Sequence, residues 1–139
     1  MILRVQSAEL RVKIGLPGDD DMGVGKDKSK AFAIRIVRLC RYLREEKKEY
    51  VLSEQLLRSG TSIGANLAEA ENSFSRKEFL AKVYIALKET SETKFWLELL
   101  YNTDYLTKRQ FESVISDEEE LSKILTSTTK TMRNESTLI

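Results

Sequence analysis

The stretch from Ser53 to Phe74, SEQLLRSGTSIGANLAEAENSF, constrains the fold of this chain more than any other. Placed at helical spacing, Leu56, Gly60, Ile63, Leu67, Ala70 and Phe74 share one stripe whose steps of four and three match a bundle seam. The neighbouring stripe, Leu57, Thr61, Gly64 and Ala68, is small apart from its first member, so a second helix backbone can approach closely there. A third stripe, Gln55, Arg58, Ser62, Asn66 and Glu69, is wholly polar. Glycine inside a helix costs about 1 kcal/mol relative to alanine, so Gly60 and Gly64 need a compensating reason. Close helix packing at Gly60, Gly64 and Ala68 supplies it, because the apolar period runs through Gly60 without a change of phase; a helix break there is the alternative.

The same period recurs along the chain. Phe32, Ile36, Leu39 and Leu43 predict a first helix over 28–48, with Asp27 or Ser29 as its N-cap. Ser53 is the expected N-cap of the second helix, 54–71, with Glu54 in its first turn. Ser75 with Glu78 forms a capping box that opens a third helix over 76–101, ended by Asn102, Thr103 and Asp104. Thr107 with Gln110 forms another, opening a fourth over 108–132 on the stripe Phe111, Val114, Ile115, Leu121, Leu125, Thr128 and Met132. The acidic run Asp117 to Glu120 reads as a solvated face, or as a partner for the basic first helix of the same or another subunit. Four helices of similar length with short connections predict an all-α, up-down-up-down antiparallel four-helix bundle over 27–133.

Outside the bundle, Leu10, Val12, Ile14 and Leu16 alternate with polar residues as a short strand would. Residues 15–30 carry the single proline, four glycines and three consecutive aspartates, as a linker does. Residues 1–26 are therefore expected to be a leader. Met22 is an alternative start, and an edge strand or docking arm is the other reading. Residues 134–139 are expected to fray.

Composition narrows function mainly by exclusion. The net charge is only +1, so no global field draws the chain to nucleic acid or membrane. The 139 residues contain no histidine, which removes the commonest general base and metal ligand, and with it the Glu-x-x-His motif of di-iron bundles. The single cysteine, Cys40, permits no internal disulfide and sits in an apolar helical run as a small hydrophobe. No apolar run approaches the roughly 18 residues a membrane span needs, and Arg4, Glu9, Arg11 and Lys13 interrupt any signal-peptide core. A cytoplasmic protein with no cofactor, no metal and no membrane partner is expected.

Positive charge is local. Residues 26–50 hold nine basic against four acidic side chains, a local charge of +5. A solvated face is one reading. The other is a phosphate-binding stripe of Arg35, Arg38, Arg41 and Arg44, which spirals by about 60° at each step of three residues. The polar stripe Gln55, Arg58, Ser62, Asn66 and Glu69 is a second candidate site, with Glu89 and Glu92 of the third helix facing it. Arg58 buried against Glu92 would be an internal pair that sets helix register; at a subunit interface the same residues would be specificity contacts. Glu89-x-x-Glu92 with Asp117-x-x-Glu120 superficially matches the Mg²⁺ ligands of all-α nucleotide pyrophosphohydrolases, a remote alternative, and a purely protein-binding scaffold is a third.

The motif LLRSGTSIGANLAEA followed by EFLAKVYIALKETSETKFWLELL resembles the signature of bacterial four-helix-bundle proteins encoded in intervening sequences of 23S ribosomal RNA genes, the S23 family. Its most specific pieces are Gln55, Arg58, Thr61 to Ile63, Asn66, Ala68 and Glu69, then Ala86 to Glu89, Glu92, Trp96 and Leu97. The resemblance covers about 30–132; Ala70 stands where glycine is common, and Gly60 where alanine is. It implies a small helical protein without established enzymatic activity. It also implies a ring-like homo-oligomer, a homopentamer in related bundles, whose basic surface meets RNA or an RNA-handling partner.

Overall fold

The computed structural model of the protein describes residues 19–137. Four α-helices follow one another in it, α1 (Asp19–Glu45), α2 (Val51–Glu71), α3 (Arg76–Asn102) and α4 (Lys108–Thr137). Cross-helix contacts give their directions. Lys26 meets Glu71 while Cys40 meets the Ser53 carbonyl, so α1 and α2 run antiparallel. Lys82 meets Glu69 while Arg58 meets Glu92 between α2 and α3, and Tyr101 stacks on Phe111 while Arg76 reaches the Met132 carbonyl between α3 and α4. The result is the up-down-up-down bundle expected from the hydrophobic period. Sequential helices pack most extensively, and α1 and α4 close the bundle more loosely.

The interior is built from one stripe of each helix: Phe32, Ile36 and Leu43 from α1; Leu56, Ile63 and Leu67 from α2; Phe79, Val83 and Leu97 from α3; Leu121, Leu125 and Met132 from α4. Small hydroxyls let α2 and α3 close on one another, with Thr93 Oγ1 3.0 Å from Ser59 Oγ in a fully buried contact. Cys40 packs in this core. Burial pushes its thiol up to about 12, so it is neither ionised nor nucleophilic near neutrality.

Helix ends differ from expectation in instructive ways. Helix α1 is already formed at Asp19, in residues expected to be linker, and within that segment Gly25 is buried where a Cβ would lie 3.5 Å from Ile124 of α4. Asp27 and Ser29 are interior positions rather than caps, and Ser29 donates to the Lys26 carbonyl. The strand-like residues 10–16 lie outside the described residues. Helix α1 ends at Glu45, before its expected end, and the chain reverses through Lys48 at φ 56°, a left-handed conformation. Helix α2 then starts at Val51, capped not by Ser53 but by Glu49. The Glu49 carboxylate accepts from the backbone N–H of Val51, Leu52 and Ser53 at 3.1, 2.8 and 2.7 Å, and Ser53 donates back to the Glu49 carbonyl.

The Ser75–Glu78 and Thr107–Gln110 capping boxes form, although Glu78 reaches one residue further, to the Phe74 N–H. Phe74 is not core: it sits in the α2–α3 turn, 60% exposed, because the helical period ends at Glu71. Helix α3 closes with Asp104 left-handed at φ 68° and the Tyr105 N–H on the Leu100 carbonyl, a Schellman arrangement. Helix α4 runs to Thr137, past the expected fraying point.

The two helical glycines prove unequal. A Cβ at Gly60 would lie 2.8 Å from Cγ2 of Ile36, a fully buried, β-branched side chain with no room to move. At Gly64 it would meet Ser29 Oγ at 3.4 Å, ordinary contact. Gly60→Ala is therefore expected to destabilise by about 1–2 kcal/mol, overpacking outweighing the gain in helix propensity. Gly64→Ala is expected to stabilise by up to about 1 kcal/mol. Urea denaturation of the two variants checks the opposite signs.

Candidate nucleic-acid interface

The four arginines of α1 do not share one role. Arg35 turns onto α4, donating to Asp117 Oδ2 at 2.7 Å, to the Ser113 carbonyl at 3.0 Å and to the Ser113 hydroxyl. Lys28 pairs with Glu120 at 2.6 Å. The acidic run of α4 is thus in part an intrachain partner of α1, and Arg35 is committed to holding the loosest seam of the bundle. Arg38, Arg41 and Arg44 are exposed and form no ion pair among the described residues. They descend the last two turns of α1, where Lys47 and Lys48 follow them into the loop.

Arg44 has an aromatic neighbour that the sequence did not single out. Its guanidinium carbon lies 5.7 Å from the centroid of the Tyr50 ring, within cation–π range, and Tyr50 is 51% exposed. Beside it, along the α1–α2 seam, runs a cleft of about 300 Å³ lined by Val37, Cys40, Leu57, Arg41, Arg44 and Glu45. The proximity of Tyr50 to a lysine pair was a legible signal. Its position against Arg44 depends on α1 ending at Glu45.

The polar stripe of α2 faces α3. Arg58 pairs with Glu92 and lies 3.7 Å from Glu89 Oε2, while Glu69 pairs with Lys82 at 2.7 Å. The Arg58 pair lies within one chain, and its guanidinium is half exposed rather than buried. Such pairs align two helices and contribute at most about 1 kcal/mol each. Trp96 Nε1 donates to Glu92 at 3.3 Å. Burial raises the Glu89 carboxyl above the usual range, reinforced by the Glu92 charge and opposed by Arg58. Ser62 and Asn66 bond back to the Arg58 and Ser62 carbonyls of their own helix, and Gln55 is half-buried. Within the chain, therefore, only Arg58 and Glu69 of the stripe tie α2 to α3 among the described residues.

Of the close-packing residues, Gly60 faces Ile36 and Gly64 faces Ser29, whereas Ala68 is exposed and brings no helix close. The two carboxylate pairs do not meet. Glu89 and Glu92 are engaged from α2, Asp117 and Glu120 from α1. Among the described residues no three acidic, cysteine or histidine side chains come together as a metal would require. The run Asp117 to Glu120 also contains a surprise: Glu118 is 3% exposed, on the core stripe of α4.

A family model for the 23S rRNA-intervening sequence protein matches residues 25–127. The chain belongs to that family. A crystal structure of a protein of unknown function from the S23 ribosomal protein family of Bacteroides thetaiotaomicron is 54% identical, with a TM-score of 0.78. That match covers 79% of this chain and 98% of the other. No curated protein matches the chain. Family membership and fold therefore agree, and the family's description names a gene context, not a reaction. No helix among the described residues is long and apolar enough to cross a membrane.

Proposed function

We propose that this protein is a non-enzymatic, cytoplasmic RNA-associated bundle that acts as a homo-oligomer through the basic face of α1. The observation that carries the reading is the state of Arg38, Arg41 and Arg44: exposed, without an ion pair among the described residues, and on the segment that holds the chain's local positive charge. Arg35 of the same helix is engaged by Asp117, whereas Arg38, Arg41 and Arg44 remain available to phosphates. Repetition around a ring, a pentamer by family resemblance, would sum these short spirals into a continuous basic surface.

Light scattering on the size-exclusion peak, with its 260/280 nm ratio at low and high salt, tests both halves. The expected result is a multiple of the 16.0 kDa chain mass carrying nucleic acid that salt removes. In titrations with single-stranded RNA, the Arg38→Ser, Arg41→Ser, Arg44→Ser triple variant should lower the log–log salt slope by about 2, at roughly 0.7 for each phosphate that is no longer neutralised. A flat salt response in the parent protein would sink the reading. Unchanged binding by a folded triple variant would move the phosphate-binding surface elsewhere.

A protein-binding scaffold is the second reading, favoured by Phe95, Tyr84 and Ile85, which leave apolar surface open on α3 at 56, 37 and 39% exposure. RNA-free oligomers with unchanged mass in the triple variant would favour it.

A further inference from the structure

The α1–α2 turn combines three features that the arginine stripe alone does not require. The first is an aromatic ring held in the open. Tyr50 stands between Glu49, whose carboxylate is tied to three backbone N–H groups, and the first turn of α2. The backbone that carries the ring is thus fixed at the start of α2. The second is the adjoining cleft, whose Val37, Cys40 and Leu57 lining is apolar while Arg41 and Arg44 stand at its edge. The third is mixed charge. Glu45 lines the cleft and Glu46 follows it, opposing a long run of phosphates along this end, while Arg41, Arg44, Lys47 and Lys48 hold the local balance positive.

A phosphate track needs none of the apolar surface, and an apolar partner is poorly served by four cations. An unpaired base attached to its phosphate uses both. We infer that this end of α1 takes an unstacked base of single-stranded RNA, stacked on the exposed Tyr50 ring on the side away from Arg44, with Arg41 and Arg44 at the adjoining phosphates. The inference rests on the RNA reading above and deepens it, because it specifies single strands: a base held in a duplex stack cannot stack on the ring.

The test is fluorescence anisotropy with a labelled single-stranded RNA and a duplex of the same length, on the full chain. Tyr50→Ala should weaken single-strand binding about ten-fold or more, with the salt slope unchanged. Duplex affinity should stay level, and Tyr50→Phe, which keeps the ring, should bind single strands within about two-fold of the parent. Tyr50 is half exposed, so these variants are expected to fold, and circular dichroism verifies it.

If Tyr50→Ala binds like the parent, or loses single strand and duplex equally, the stacking site is wrong while phosphate binding stands. If the parent protein binds neither RNA at low salt, the RNA reading and the stacking site fall together. A Tyr50-dependent association with phosphatidylserine vesicles in place of RNA would identify a membrane surface as the occupant. A change of oligomeric mass in Tyr50→Ala would place the ring between copies of the chain. Either result overturns the inference.

Discussion

Glu118→Gln should stabilise the bundle by up to about 3 kcal/mol at pH 8 and by almost nothing at pH 4.5. Glu118 lies on the core stripe of α4, 3% exposed, and its Oε2 accepts no hydrogen bond. Desolvation pushes its carboxyl up to about 7, with Lys94 opposing and the Glu119 and Glu98 charges adding to the rise. The sign follows from proton counting. Between about 4.5 and 7 the folded chain keeps this proton while the unfolded chain releases it, so stability falls as pH rises across that window and levels off above it. Glutamine carries no charge at any pH. The parent should therefore lose ground to the variant across the window, up to the full value of about 1.4 kcal/mol per unit of pKa difference. Glu118→Leu should stabilise further by removing the unpaired polar group. Urea denaturation from pH 4.5 to 8, at one protein concentration, measures the gap. A gap independent of pH would show that Glu118 is ionised in both states.

Glu49→Ala should cost about 2–4 kcal/mol, the largest loss expected from any single loop residue. Three N–H groups at the start of α2 lose their acceptor, and that of Ser53 is fully buried. A buried donor left without a partner costs about 1–3 kcal/mol, and loss of a negative charge at the helix start adds roughly 0.3–1 kcal/mol. Glu49→Gln, which keeps one acceptor oxygen, should fall between. Glu54→Ala, an exposed change in the same turn, is the control and should cost about 0.5 kcal/mol or less. Chemical denaturation of the three variants ranks them. Equal losses at Glu49 and Glu54 would mean that charge near the helix dipole, rather than the three hydrogen bonds, is what matters.

These two glutamates show where the sequence was legible and where it was not. Glu118 follows Val114 by four residues and precedes Leu121 by three, so its place on the core stripe was readable from spacing. Its chemistry pointed the other way, because it stands in a run of four acids, and a charge is usually solvated. Glu49 gave no signal at all. Serine is the commoner cap, and Ser53 stood where a cap was wanted; the role falls to Glu49, which follows the left-handed Lys48 at the chain reversal and sets its own carboxylate on the N–H groups.

The candidate site divides along the same line. That α1 is basic, and that Gln55 to Glu69 form a polar stripe, is a matter of composition and period, which depend on the chain alone. That Arg35 is occupied, that Arg58 pairs within its own chain, and that Tyr50 lies beside Arg44 depends on contacts between residues far apart in the chain or across a reversal.

By itself the sequence determined the fold class, the core stripe from Leu56 to Ala70, both capping boxes and the family resemblance, because periodicity and capping act over a turn or two of helix. The tertiary structure alone decided which cations stay free, that the core-stripe Glu118 keeps its carboxylate buried, and which aromatic is presented. Pairing and presentation depend on the rotation of each helix against its neighbours and on where the chain reverses, and hydrophobic period fixes neither.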